Sequence, residues 1–318
     1  MAIDSGTTLS QLSARRRLTN VVASVLVYAA FAVALIPLVW LAWTVVSRGI
    51  DRFMVDQTGA TNFNLDFLQQ SMRGVMGGAI AGGALHAVWG TLLITLTAAL
   101  ISVPIGLLTA VYLVEYGRGR LKRAVTFFVD VMTGIPSIVA GLFAYALAAV
   151  VLGPGTKTGF VGAIALSVLM IPVVVRASEE MLRLVPNELR EASYALGVPK
   201  WLTVIKVVLR TAIAGLATAV TLAIARVIGE TAPLLIAVGV ADSMNFNIFD
   251  GRMMTLPVYI VAEWRKGEAV CNDAAIACLP QITEYRAWAA ALTLILIVMA
   301  LNLVARLISR LFAPKAGR

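Results

Sequence analysis

Apolar residues in this chain come in long runs, at positions 21–46, 85–114, 124–152, 160–175, 211–240 and 287–305. The runs do not alternate as a half-buried strand does. A bilayer core takes ~20 apolar residues per helix, whereas membrane barrels use short alternating segments. The pattern predicts an all-α integral membrane protein with six transmembrane helices. Between the runs, residues 47–72 lead into a glycine-rich patch (Gly74, Gly77, Gly78, Gly82, Gly83) that reads as a flexible loop. Gly153-Pro154-Gly155 marks a turn. The run 253–264 is apolar but too short to cross, and is expected as an amphipathic or re-entrant piece at the outer surface. The expected organisation begins with a tail at 1–20, then a first helix with an outer segment at 21–84. A core of five further helices follows at 85–305, with a charged loop at 176–210 and an outer segment at 241–286, before a second tail at 306–318.

Composition supports this reading. Of 318 residues, 60% are hydrophobic and 14% charged, where a soluble chain carries about 25% charge. A net charge of +9 would raise nucleic acid as a partner of a soluble protein. Here the basic residues flank apolar runs, so membrane lipid is the partner they imply and nucleic acid is set aside. Most of the 26 lysines and arginines lie in four places: Arg15-Arg16-Arg17, the 118–123 loop, the 176–210 segment and the C-terminal tail. Cytoplasmic loops carry the Lys/Arg excess, so these four segments, and both termini, are expected in the cytoplasm. The first run is too long for the apolar part of a cleavable signal and is expected to stay as a helix. His86 is the only histidine and Cys271 and Cys278 the only cysteines, too few for a metal site. His86 is expected to cap or pack the start of the second helix. The two cysteines fall close together in an outer, oxidising segment and predict a disulfide.

No catalytic constellation emerges. The runs hold no Ser/His pair, no paired Asp and no His-Glu-x-x-His helix. The stretch at 153–158 comes near a phosphate loop but has Thr156 before Lys157, and no Walker A motif exists in the chain. What stands out is charge inside apolar runs. Arg226 and Glu230 lie four apart, on one face of an expected helix, and each intramembrane charge costs about 2.5–3.5 kcal/mol on insertion scales. Either they form an ion pair that fixes helix packing, or Arg226 offers a forked donor to an oxyanion while Glu230 holds it when the path is empty. Asp130 can pair with a basic residue of another helix or line a path. Arg176 stands at the end of the fourth run on the basic side, where arginine is commonplace as an interface anchor. Gly134 and Pro136 weaken the third helix as a hinge or a kink. Ser137 can donate to an anion or bond back to its own helix.

The 176–210 segment has the most specific pattern. Pro186 and Asn187 suit a helix start, Gly197 a left-handed C-cap, and Pro199 the start of a second short helix. The result is an elbow exposing Leu189, Ala192, Leu196 and Trp201, a shape that fits a partner's groove. Glu191-Ala192-Ser193 with Gly197 four residues on resembles the cytoplasmic coupling loop of bacterial ABC-importer permeases, with Ser193 where that family has alanine. The stretches 130–143, 171–180 and 225–233 look like the PstA-type permease family of phosphate ABC importers, and the resemblance covers residues 85–305.

That resemblance implies the type I ABC-importer permease fold, residence in the bacterial plasma membrane, and import of inorganic phosphate by alternating access. It implies a substrate path along Arg226, Glu230, Arg176, Asp130 and Ser137. It assigns coupling to the ATPase to Glu191, Ala192, Ser193 and Gly197. The implied partners are a second homologous permease, two ATP-binding subunits and an extracytoplasmic phosphate-binding protein. The chain itself is implied to be non-catalytic and to bind no cofactor, with ATP and Mg²⁺ acting in the partners. A permease for another oxyanion (sulfate, molybdate) and a non-transporting membrane scaffold are the alternatives. The charge bias sets a test of orientation: a topology reporter inserted beside Lys200 is expected to read as cytoplasmic. An exterior signal there would overturn the orientation and the elbow's access to an ATPase together.

Overall fold

The computed structural model of the chain describes residues 14–55, 59–271 and 277–312, and the ends of both expected tails, 1–13 and 313–318, lie outside them. The chain divides into two units, Met1–Ser47 and Arg48–Arg318. The first is occupied by most of one helix, α1 (Ala14–Asp51), whose described side chains from position 18 to position 43 are exposed. The second unit starts with the last turn of α1 and a short 3-10 turn at Arg52–Met54. It continues through α2 (Asp66–Gln69), α3 (Leu85–Val111) with a π-helical turn Tyr112–Tyr116, α4 (Gly119–Thr133), α5 (Ser137–Val151) and α6 (Gly159–Arg183). Then come α7 (Asn187–Ala195), α8 (Lys200–Thr203) running into a π-helical segment Val204–Leu209, α9 (Arg210–Val227), α10 (Ala232–Ala237), α11 (Leu256–Lys266) and α12 (Ile282–Phe312). Five helices are long and apolar enough to cross a membrane, or six if the α4–α5 pair counts as one span.

That pair is the third run, 124–152, in which Gly134 and Pro136 predict a hinge or a kink. α4 and α5 are bent by 106°. Pro136 has no N–H and disfavours helical backbone at Ile135, so the helix stops at Thr133 and restarts at Ser137. The place of Arg176 is corrected: α6 runs on to Arg183, so Arg176 lies inside a helix instead of at its end. The fifth span also differs, running from Lys200 to Val227 and breaking before α10.

α6 is the centre of the second unit, packing on α3, α4, α5, α9 and α10. In lipid the apolar effect does not drive helices together, so association rests on close contact and interhelical hydrogen bonds. Both occur here. A Cβ on Gly106 of α3 would lie 2.6 Å from Val174 Cγ1 of α6. Ser167 Oγ donates to the carbonyls of Ala163 (2.7 Å) and Ala98 (3.4 Å), and Ser102 Oγ donates to the Ser167 carbonyl (3.5 Å).

The end of the bundle where α3 and α12 begin is capped by irregular backbone held by two buried arginines. Arg52 donates to the carbonyls of Val55 (2.9 Å), Ile80 (3.0 Å) and Gly82 (3.1 Å). Arg286 donates to those of Ala79 (2.5 Å) and Ala81 (2.7 Å) and pairs with the buried Glu263 at 3.5 Å. Ile80 N donates to the Ala277 carbonyl and Leu279 N to that of Gly78, joining the two outer segments. Cys271 and Cys278 form a disulfide, against which Gly78 packs so closely that a Cβ would lie 2.5 Å from Cys278 Sγ. From Gly78 to Gly83 the glycine patch is therefore a packed strap, while Gly74 and Gly77 are exposed. α11 buries its first turn and exposes its last: Leu256, Pro257, Val258 and Tyr259 are buried, with Leu256 N donating to Thr91 Oγ1 of α3 at 2.8 Å, while Trp264, Arg265 and Lys266 are exposed. His86 packs edge-on against Tyr259 at 5.5 Å. Burial, and then the nearby Glu263, push the Tyr259 phenol well above its ordinary pKa.

These contacts rank two ion pairs. Arg286→Met leaves the Ala79 and Ala81 carbonyls without their donor and Glu263 to Lys266 alone (2.5 Å), an expected loss of about 1–3 kcal/mol. Arg48→Met removes an exposed 3.6 Å pair with Glu284, worth about 0–1 kcal/mol. Thermal unfolding of the detergent-solubilised protein should fall far more for the first, and equal shifts would contradict the clamp.

Candidate functional site

Two interrupted helices meet in the middle of the second unit. α9 ends at Val227, a turn follows at Ile228-Gly229, and α10 starts at Ala232 with Pro233 in its first turn. α10 lies against α5 and α6 because glycines let it in: a Cβ on Gly141 would sit 2.5 Å from Pro233 Cα, and one on Gly162 would sit 2.3 Å from Val238 Cγ2. The break before α5 and the break before α10 thus lie within about a turn of one contact.

The expected Arg226–Glu230 pair is not formed. Helix α9 stops between the two residues, so a spacing of four no longer puts them on one face, and Glu230 N donates instead to the Val227 carbonyl at 3.1 Å. Arg226 is exposed and Glu230 half-buried, and neither makes an ion pair among the described residues. Charge is paired one helix away. Arg176 bonds Asp130 of α4 and, at 2.8 Å, Glu179 Oε2 of its own helix. Arg183 holds the other Glu179 oxygen at 2.5 Å. Asp130 is exposed and Glu179 buried, so the chain runs from the bent α4 into the core of α6. Ser137 is the first residue of α5, half-buried beside the bend.

At the far end of α6 stands the elbow. α7 carries Glu191 and Ala192 exposed, while Ser193 is buried and shares a 2.8 Å hydrogen bond with Thr203 across the elbow. Gly197 has φ +75°, the left-handed region that a C-cap requires, with nothing within 4 Å of an added Cβ. Leu196 is 83% exposed and Trp201 57%, an apolar knuckle that the chain itself leaves uncovered.

Three residues that hold this elbow were not singled out from the sequence. Arg190 of α7 donates through Nε (3.0 Å) and Nη2 (2.9 Å) to Glu115 Oε1, and through Nη1 to the Val185 carbonyl (2.6 Å). It also reaches the Leu182 carbonyl at 3.1 Å. Lys200 donates to the Glu115 carbonyl and lies over the Tyr116 ring. Glu115, with a side chain 5% exposed, sits in the π-helical turn that ends α3. The elbow is therefore tied to α3 through a buried ion pair as well as to α6 and α9 through the chain. The one available signal was Glu115 itself, a carboxylate closing an apolar run.

Apolar spans around a pair of interrupted helices, with an apolar elbow standing clear at one end, define a membrane permease subunit with the type I ABC-importer fold. Residues 102–318 match the family of binding-protein-dependent transport system inner membrane components. The chain is 48% identical over 297 residues to the phosphate transport system permease protein PstA 1 of Mycobacterium tuberculosis H37Rv, covering 93% of this chain and 89% of that protein. It is 35% identical over 312 residues to PstA of Yersinia pestis, covering 94% and 92%. A chain of the bacterial alginate ABC transporter, in complex with its alginate pentasaccharide-bound periplasmic protein, shares the fold at TM-score 0.59 and 12% identity, over 96% of this chain and 99% of that one. The inward-facing MetNI methionine ABC transporter does so at TM-score 0.57 and 21% identity, over 72% and 96%. This chain belongs to the PstA family of phosphate transport system permease proteins, inner membrane components.

The elbow's backbone carries a prediction. Gly197→Val forces a β-branched residue into left-handed backbone, at about 1–2 kcal/mol, whereas Gly197→Asn keeps that conformation accessible. Limited proteolysis should cut within 187–203 faster in the valine variant and leave the spans intact. Identical cleavage in both variants would sink the strained-cap account.

Proposed function

We propose that this chain is the membrane-spanning permease subunit of an ATP-driven importer of inorganic phosphate, working by alternating access. The observation that carries the solute is the 48% identity over 93% of the chain to phosphate transport permeases. The exposed elbow supports the coupling. Two ATP-binding subunits hold ATP and Mg²⁺ and take Leu196 and Trp201 into a groove, and this chain is non-catalytic and binds no cofactor of its own. A second, homologous permease completes the path, and an extracytoplasmic phosphate-binding protein delivers the anion to the end capped by the disulfide. Both termini lie in the cytoplasm, as the Lys/Arg bias suggests.

On this reading Arg226 is the principal contact to the anion. It is exposed, has no carboxylate partner among the described residues, and stands just before the Ile228-Gly229 turn where the helix ends. A planar cation with five donors suits a tetrahedral oxyanion. Glu230 lies past the turn, beside the path. Arg176, Asp130 and Ser137 line the bend in α4–α5, where the Asp130–Arg176 bond can open as the anion passes, leaving Arg176 held by Glu179. When the ATP-binding subunits close, the elbow moves, and the Arg190–Glu115 pair passes that movement to α3 as well as to α6.

Arg226→Gln should leave the complex assembled, because an exposed unpaired side chain is worth about 0.5 kcal/mol or less to the fold. Loss of a charge-assisted bond of about 1.5–3 kcal/mol lowers phosphate uptake ten- to a hundred-fold. Uptake by the variant at the wild-type rate would remove Arg226 from the path. Uptake of sulfate or molybdate in preference to phosphate by the wild type would overturn the solute.

A further inference from the structure

The face of α9 opposite Arg226 holds a second feature. A cavity of about 820 Å³ lies between α3, α9 and α12, lined by apolar residues including Leu107, Ile213, Leu216, Val220 and Ala305. At its elbow end the lining changes to Lys206 and Arg210. Both are exposed, and neither has an ion-pair partner among the described residues. No carboxylate lines the cavity. Two like charges a turn apart repel, so an anion placed between them relieves both.

We propose that this groove binds one anionic phospholipid of the surrounding bilayer, its phosphate on Lys206 and Arg210 and an acyl chain in the apolar trough. Three features favour lipid over a protein surface. The trough follows α9 from Arg210 to Thr221, about 16 Å at 1.5 Å per residue, close to half of a ~30 Å hydrocarbon core. The cations lie in the elbow-side half of an apolar span (Lys200–Val227), from which long basic side chains reach back to a headgroup by snorkelling. And at about 100° per residue, Arg210, Ile213, Ala217 and Thr221 lie about 140–180° around the helix from Arg226. If Arg226 faces the second permease across the path, as proposed above, the groove faces away from it. The lipid then braces α9 just beyond the elbow, where the π-helical segment Val204–Leu209 widens the helix. Basic pockets between membrane helices at this level hold anionic headgroups by the same attraction.

The test uses the assembled complex in nanodiscs and reads lipid contact, not transport, so its failure leaves the permease reading standing. Both native cysteines are in the disulfide, so Ile213→Cys adds one labelable thiol to this chain for a bimane probe. Phosphatidylglycerol and phosphatidylcholine with brominated acyl chains are titrated in turn. With each cation near the surface adding several-fold, the phosphatidylglycerol should quench at a mole fraction on the order of thirty-fold lower. Lys206→Gln with Arg210→Gln should bring the two titrations together. Equal titrations in the wild type, no quenching by either lipid (a protein surface covers the groove), or reversal by excess inorganic phosphate (the cations bind the free anion) would each overturn the proposal. Native mass spectrometry of the complex without the probe serves as a second readout. Phosphatidylglycerol retained by the wild type should be lost in the double glutamine variant, and equal retention would also overturn the site.

Discussion

A carbonyl group that leaves the helical ladder inside or beside a membrane has no water at hand, and this chain answers the problem with arginine. Its five donors in one plane can collect several carbonyls at once, and Arg52, Arg190 and Arg286 all do so. At the capped end, Arg52 and Arg286 take alternate carbonyls of one extended strap, Ala79 to Gly82. At the elbow end, Arg190 takes the carbonyl of Leu182 in the last turn of α6 and that of Val185 just past it, and also meets Glu115. Irregular backbone at both ends is thereby supplied with hydrogen-bond donors.

The breaks themselves follow from small residues and prolines placed where helices cross. In lipid, contact at short range replaces the apolar driving force, so a glycine opposite a backbone matters more than it would in a soluble core. Gly141 against Pro233 and Gly162 against Val238 bring α10 into a slot between α5 and α6. Pro136 and Pro233, at the starts of α5 and α10, leave backbone groups outside the helical ladder at the same two breaks.

Much of the site was visible in the chain before folding. Asp130, Arg176 and Arg226 are charges in apolar runs, and a charge there needs a reason. Gly197 followed by Pro199 announces a turn whatever surrounds it, and φ at Gly197 is indeed positive. The partners were less visible. Arg176 meets an acid 46 positions away and Arg190 one 75 positions away, separations over which sequence pattern is silent. Arg226 and Glu230 show the opposite failure. Their spacing of four means one face only if the helix continues, and Gly229 lies between them in a turn.

What the sequence determined by itself is whatever depends on local chemistry: helices from uninterrupted apolar length, their breaks from glycine and proline, the elbow from its caps, and a disulfide from two neighbouring cysteines. Tertiary structure alone decided which charges meet and which stand free. It also decided that the glycine patch is a packed strap from Gly78 to Gly83, and that one face of α9 carries the exposed Arg226 while the other lines an apolar trough. Those outcomes depend on distances between elements far apart in the chain. Such distances are set by how closely whole helices can approach, which no single stretch of residues encodes.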